Sequence, residues 1–399
     1  MPVGTAFHAR TLALCESLSY REWSGYYAVS AFEAHHEHEF AAIRNGAALI
    51  DVSPLFKYLV TGPDATRLVD RIVTRDATKL SVGQVIYTPW CDERGKVIDD
   101  GTVSRLREQV WRWTAADPSL RWFRQNAHGL DVTVEDITEQ VAALAVQGPT
   151  SARLLREAAN ADLETLKYFR VTSGQIAGVP VEISRTGYTG DLGYEIWMPW
   201  DRALEVWDRI IEVGKAFDAR PAGMLALDVA RIEAGLLLID VDFHGAKKSQ
   251  IDDQRYSPYE MGLTRLVSDS KGPFVGREAL AAERAGGPRR LIVGLEIDWN
   301  DVDRHFTRAG LTPQVPVVAS RVAVPVFRGG RQVGKATSTA WSPTLKRLIA
   351  LATIDAPHFV TGSALEIEVT VEAVRHRAGA KVVPTPFYNP PQKLATPPV

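Results

Sequence analysis

The chain has 399 residues, 45% of them apolar and 24% charged, and a formal net charge of −2. That length exceeds what one hydrophobic core fills, so two or three domains are expected. The near-neutral charge excludes long-range attraction to nucleic acid or anionic membrane; the densest basic run is Pro288-Arg289-Arg290, and no stretch reaches the ~18 apolar residues of a bilayer span.

From the N-terminus, Met1 to Tyr20 mixes His8, Arg10 and Glu16 into its apolar residues and so lacks the core of a signal peptide. The two cysteines, Cys15 and Cys91, are too few for a disulfide framework or a zinc site, and a reduced cytosolic protein is expected. His35-His36-Glu37-His38-Glu39 reads as a solvated helix face. No second set of ligands accompanies it, so no metal is expected there.

Two segments then read almost alike, Lys57 to Val69 and Ala143 to Leu155. Each is a short β run, then Gly-Pro, then a helical pattern with Arg-Leu at the same offset, as two related halves would give. Between them, Tyr87 to Asp100 reads as a hairpin turning at Glu93–Lys96. The period of two puts Asp99 and Asp100 on opposite faces of its second strand. Such a pair is either a turn-and-cap device or one solvated carboxylate beside one in a cavity, able to take a proton or offset positive charge.

Val179–Ser184 and Gly193–Met198 alternate as strands on either side of Arg185-Thr186-Gly187-Tyr188-Thr189-Gly190-Asp191-Leu192-Gly193-Tyr194-Glu195. The glycines allow a sharp turn and close backbone approach, but the spacing and the strand that follows are not those of a dinucleotide site. Glu195 is either half of a cross-strand ion pair or an acceptor for two N–H groups of a heterocycle. Helices are expected at Ala203–Gly214 and Gly223–Gly235; in the second, Arg231 and Glu233 do not face each other and read as structural ion-pair partners. Strands and helices without strict alternation point to α+β halves resembling split βαβ units.

Ala285-Gly286-Gly287-Pro288 reads as a linker. Beyond it, Leu291–Ile297, Val322–Phe327, Gln332–Thr337, Leu348–Ile354 and Leu365–Val371 predict a small all-β barrel or sandwich, with a tight turn at Gly329-Gly330. The Pro-rich tail from Pro384 onward reads as an extension of it.

Taken together these segments resemble the glycine cleavage T-protein family, which includes folate-dependent demethylases. The shared pieces run in family order: Ile50-Asp51-Val52-Ser53, Thr61-Gly62-Pro63, Tyr87 to Asp100, Val146-Gln147-Gly148-Pro149, Arg185 to Glu195 and Arg231 to Gly235. Ser257 to Leu263, Phe274 to Leu280, Thr337-Ser338, Ser342 to Leu345 and Pro386-Phe387-Tyr388 complete them. The resemblance implies an α+β, three-lobed cloverleaf, with two split-βαβ (ferredoxin-like) lobes and a C-terminal β-barrel domain around a central folate cavity. The lobes would be 1–50 with 140–240, 51–139 with 241–284, and 288–399. Tetrahydrofolate is the implied cofactor. Asp100 would lie by its reactive nitrogens, Glu195 would read the pterin edge, and Tyr87 and Tyr188 would line the slot.

The chain departs from the T-protein pattern in four places. Leu227 stands where those proteins have arginine, Pro54 where they have histidine, Trp113 to Asp117 replaces family asparagines, and the loop Asp240 to Tyr256 is longer. Gly83-Gln84 with Pro89, and Ala116-Asp117, look closer to the dimethylsulfoniopropionate demethylase branch. That branch moves a methyl group from a small donor to folate without a lipoyl carrier protein. The expected activity is therefore tetrahydrofolate-dependent methyl transfer, or demethylation, from a small S-, O- or N-methyl compound, with Tyr26, Tyr27, Trp90, Phe243 and His244 as donor-pocket candidates. Aminomethyl transfer from a lipoyl carrier protein is the second reading, and a non-catalytic folate-binding regulator the third.

Overall fold

The computed structural model describes residues 1–396; residues 397–399, the end of the segment expected as the C-terminal lobe, lie outside the described residues. Helix α1 (His8–Leu14) precedes a hairpin of β1 (Ser19–Trp23) and β2 (Tyr26–Ala31), then helix α2 (Glu37–Asn45) and strand β3 (Ala47–Asp51). Next come β4 (Phe56–Thr61), α3 (Ala65–Ile72), a meander of β5 (Val85–Cys91), β6 (Val97–Arg107) and β7 (Val110–Ala115), then α4 (Leu120–Asn126) and β8 (Thr133–Asp136). The pattern recurs as β9 (Val141–Gln147), α5 (Ser151–Ala158), the short β10 (Ala159–Asn160) and a meander of β11 (Val171–Ile176), β12 (Val179–Ser184) and β13 (Gly193–Pro199). Helix α6 (Ala203–Gly214), β14 (Ala219–Pro221), α7 (Met224–Glu233) and α8 (Arg277–Gly286) follow.

The sheets are ordered β5-β6-β7-β4-β8 and β10-β11-β12-β13-β9-β3-β14. In each, a strand leads through a helix to a three-stranded meander whose last strand returns antiparallel to the first. Thus β7 pairs β4 with Trp113 opposite Tyr58, and β13 pairs β9 with Glu195 opposite Ala145. The repeated Gly-Pro turns do the same work in both halves. Gly62 and Gly148 sit at φ +122° and +130°, and a Cβ there would meet the backbone carbonyl of Asp131 or Gly46. The helices that follow bury one face each, Leu68, Val69 and Ile72 on α3 and Leu154, Leu155 and Ala158 on α5. The duplication legible in the sequence is therefore a duplication of topology.

Helix α7 is buried almost all round, as expected of a helix wedged between layers. Its polar side chains pin the lobes together: Glu233 pairs with Arg44 at 2.8 Å and accepts from Ser342, while Arg231 pairs with Asp242 at 2.5 Å and donates to Ser338 at 2.8 Å. The structural reading of Arg231 and Glu233 holds.

The C-terminal region is a closed barrel in the order β15-β18-β17-β16-β19-β20. Its strands are β15 (Arg290–Ile297), β16 (Val324–Arg328), β17 (Arg331–Ser342), β18 (Arg347–Asp355), β19 (Ala364–Val371) and β20 (Val374–Val383). Gly329 and Gly330 make the expected tight turn, both at positive φ. The all-β expectation needs one correction. Helix α9 (Trp299–Arg308) follows the first strand, capped by Asp298 and burying only Val302, so its sequence carries little apolar signal. Strand β20 pairs with both β15 and β19 and closes the barrel.

A second correction concerns His35 to Glu39. Helix α2 begins at Glu37, and His36 and Glu39 are buried. Glu39 accepts the N–H groups of Phe32 at 2.7 Å and Gly223 at 2.7 Å, tying the β2 end to the start of α7. Tertiary partners, invisible in the local pattern, turned His36 and Glu39 inward, while His35, Glu37 and His38 stay exposed as expected. Among the described residues no helix is long and apolar enough to cross a membrane.

Candidate active site

The β5–β6 turn is built by Asp92, whose Oδ1 accepts the N–H groups of Arg94 at 3.0 Å and Lys96 at 2.9 Å. This fixes the register that sets Trp90 opposite Asp99 and Pro89 opposite Asp100. Asp99 points inward with no solvent exposure and accepts three backbone N–H groups: Asp100 at 2.8 Å, Ala116 at 3.0 Å and Asp117 at 2.9 Å. Burial, and then the neighbouring charge of Asp100, push its carboxyl well above the usual range. Asp100 points the other way and accepts the Tyr87 hydroxyl. Burial pushes its pKa up to about 6 despite that hydrogen bond. Tyr87 is in turn pushed well above 10, by burial first and the Asp100 charge second.

Counting by two from Asp100, the same face of the sheet carries Thr102 and Ser104, with Thr114 and Arg112 beside them on β7 and Lys57 on β4. Thr102 and Thr114 bond hydroxyl to hydroxyl at 2.7 Å. Lys57 is fully buried and donates to the carbonyls of Ser53 at 2.7 Å and Leu55 at 2.6 Å, and burial lowers its pKa to about 7. It holds the turn that contains Pro54.

The facing wall is the β12–β13 pair, with Ser184 opposite Glu195 and Glu182 opposite Trp197. Glu195 is half-buried; its Oε2 accepts the Thr186 hydroxyl, and among the described residues its Oε1 accepts no hydrogen bond. Burial raises its pKa, with the Thr186 hydrogen bond and the Arg112 charge pulling down. The loop before β13 is gathered around one amide. Gln147 donates to the carbonyls of Thr186 and Tyr194, each at 3.1 Å, and accepts from Thr189 at 2.9 Å. A Cβ on Gly187 or Gly193 would collide with that amide, which is why both positions are glycine. Tyr188 donates its hydroxyl to the Leu237 carbonyl, and its pKa is raised, by burial above all. Tyr87 and Asp100 are joined by their hydrogen bond, and the charge of Tyr188 adds to the rise in the Tyr87 pKa.

Two residues at this site escaped the sequence reading. Gln147 entered only as part of a motif, and Arg112 lies between Trp111 and Trp113 on a strand whose inner face is not decided until the sheets meet. Arg112 pairs with Glu182 and stacks on Trp197, 4.2 Å from the ring centroid.

The five donor-pocket candidates are not gathered by the fold. Trp90 is buried in the cluster of Trp113 and Phe123, and Phe243 in that of Cys91 and Tyr256. Tyr26 packs on Trp200, and Tyr27 lies beside His8 and Tyr20. His244 is half-exposed, 3.7 Å from Asp240. Leu227, on α7, is 9% exposed and belongs to the apolar cluster of Ala319, Ala340 and Ile349, against which Tyr188 packs.

Comparison with known proteins gives a consistent lineage. Residues 6–271 match the GCVT N-terminal domain, and residues 307–389 match the glycine cleavage T-protein C-terminal barrel domain. An aminomethyltransferase of Moorella thermoacetica is 38% identical over 359 residues, 89% of this chain and 90% of that protein. A trimethylamine-oxide aldolase of Ruegeria pomeroyi is 37% identical over 400 residues, 97% of this chain but 47% of that longer protein. Among solved structures, the glycine cleavage system aminomethyltransferase T of Bartonella henselae superposes with a TM-score of 0.82 at 22% identity, covering 98% of this chain and 99% of that one, a likeness of fold.

Proposed function

The chain belongs to the glycine cleavage T-protein family of folate-dependent one-carbon transferases, and we propose that its own reaction carries a one-carbon unit from a small S-, O- or N-methyl donor to tetrahydrofolate. The residues present suit a reduced pterin: among the described residues Glu195 keeps one carboxylate oxygen free for paired N–H groups, and Tyr87 and Tyr188 supply aromatic rings for the slot. Bound tetrahydrofolate supplies the nucleophilic ring nitrogen that takes up the one-carbon unit.

The chain's own groups would do the rest. With a pKa near 6, Asp100 is mostly ionised at pH 7 and able to hold a proton released beside it or to offset developing positive charge. The Tyr87 hydroxyl fixes its orientation. Asp99, locked by three N–H donors, keeps the strand in register and leaves Asp100 to the opposite face. Positioning on two rigid sheets supplies much of the remaining acceleration.

Leu227 carries the choice of donor. It belongs to the apolar cluster against which Tyr188 packs, surroundings suited to a small methylated compound that sheds water before transfer. A relative named for trimethylamine oxide that matches 97% of this chain supports the same reading. The aminomethyltransferase relatives favour the second reading, transfer from a lipoyl carrier protein. A screen of methyl donors and aminomethylated carrier, scored by the folate product, separates the two.

A further inference from the structure

Arg112 is 4% exposed, yet among the described residues two of its donors, Nε and Nη2, have no hydrogen-bond partner, while a third engages Glu182. Unpaired buried guanidinium hydrogens are costly, so they mark either a packing compromise or the seat of an absent acceptor. The register locates that seat. Arg112 stacks on Trp197, and Glu195 lies two residues back on the same strand face, about 7 Å away along the strand. Among the described residues two hydrogen-bonding edges thus stand unfilled where the walls meet, an acceptor at Glu195 Oε1 and a donor fork at Arg112.

The charge balance decides what fills them. Glu182 already neutralises Arg112, and Glu195 adds a further negative charge nearby, so a second carboxylate would be repelled. A neutral carbonyl is not. A lactam edge, with N–H next to C=O, presents the complementary pair: N–H to Glu195 and C=O to Arg112. We infer that Arg112 is a specificity-determining residue that reads the ring carbonyl of the same heterocycle whose N–H groups Glu195 accepts. This rests on the folate reading above. Seating requires the guanidinium edge to turn toward Glu195 over the Trp197 ring while its Glu182 pair persists.

The test compares tetrahydrofolate with its 4-amino analogue, in which the carbonyl acceptor becomes an amino donor and the neighbouring ring N–H is lost, by titration calorimetry on the full chain. Arg112→Met should weaken tetrahydrofolate roughly tenfold to a hundredfold, the scale of an unpaired buried group, and leave the 4-amino analogue unchanged or bound better. Arg112→Lys keeps a charge opposite Glu182 but not the planar fork, so it guards against a misfolded Met variant and should shift the ratio in the same direction. Equal weakening of both ligands, or of neither, in a folded variant overturns the assignment to Arg112. Failure of the unaltered chain to bind either ligand would instead overturn the folate reading.

Discussion

Asp99 and Asp100 are consecutive on one strand and face opposite environments. The Asp99 carboxylate is closed inside the sheet by three backbone N–H groups, whereas Asp100 meets the Tyr87 hydroxyl on the wall that faces Glu195 and Tyr188. The period of two in a strand separates a structural carboxylate from the one proposed to act in one-carbon transfer, with no residue between them.

Turnover should depend on the Asp100 charge. Asp100→Asn keeps the shape and removes the charge, so turnover is expected to fall ~10²-fold or more, with tetrahydrofolate affinity changed less. In the unaltered chain the rate should rise with pH through about 6 as Asp100 ionises, and the variant should lose that limb. Steady-state kinetics across pH 5 to 8 would check both.

Stability should move the other way. The folded pKa of Asp100 lies above its ordinary value of 3.8, so between roughly pH 4 and 6 the folded chain holds the extra proton and loses stability as pH rises. Asp100→Asn should therefore melt at a higher temperature than the unaltered chain at pH 8 and at the same temperature near pH 4. A lower melting point at pH 8 would contradict the burial of this charge.

Asp99→Asn should damage the fold more than the chemistry. An amide presents its NH₂ to backbone donors that now find a carboxylate, a loss of about 1–3 kcal/mol in urea unfolding. Turnover of the folded fraction should fall less than for Asp100→Asn.

Glu195→Gln should weaken tetrahydrofolate by roughly 1.5–3 kcal/mol, the scale of a charged hydrogen bond, when titrated calorimetrically in a folded variant. Unchanged affinity would remove Glu195 from the pterin edge.

What the sequence made legible was local. The turn at Glu93–Lys96 and the period of two separated Asp99 from Asp100, and the repeated Gly-Pro segments announced two halves of one topology. What it hid was long-range. Arg112 gains meaning only when β7 meets β12 and β13, and Gln147 only when the loop from Thr186 to Tyr194 folds over its amide. Glu39 reads as solvated until Phe32 and Gly223 turn their N–H groups on it. The donor-pocket candidates were chosen as aromatic residues near motifs, and packing sent Trp90 and Phe243 into cores instead.

The most direct test of the central claim gives the protein tetrahydrofolate with either small S-, O- and N-methyl compounds labelled in the methyl carbon or an aminomethylated lipoyl carrier protein, and follows label in folate and release of ammonia. Label should reach folate from a small donor, with no ammonia from the carrier. Leu227→Arg alone should create no carrier-dependent activity, because Pro54 and the Asp240–Tyr256 loop differ too. Robust ammonia release and methylene-folate formation with the carrier would contradict the small-donor reading.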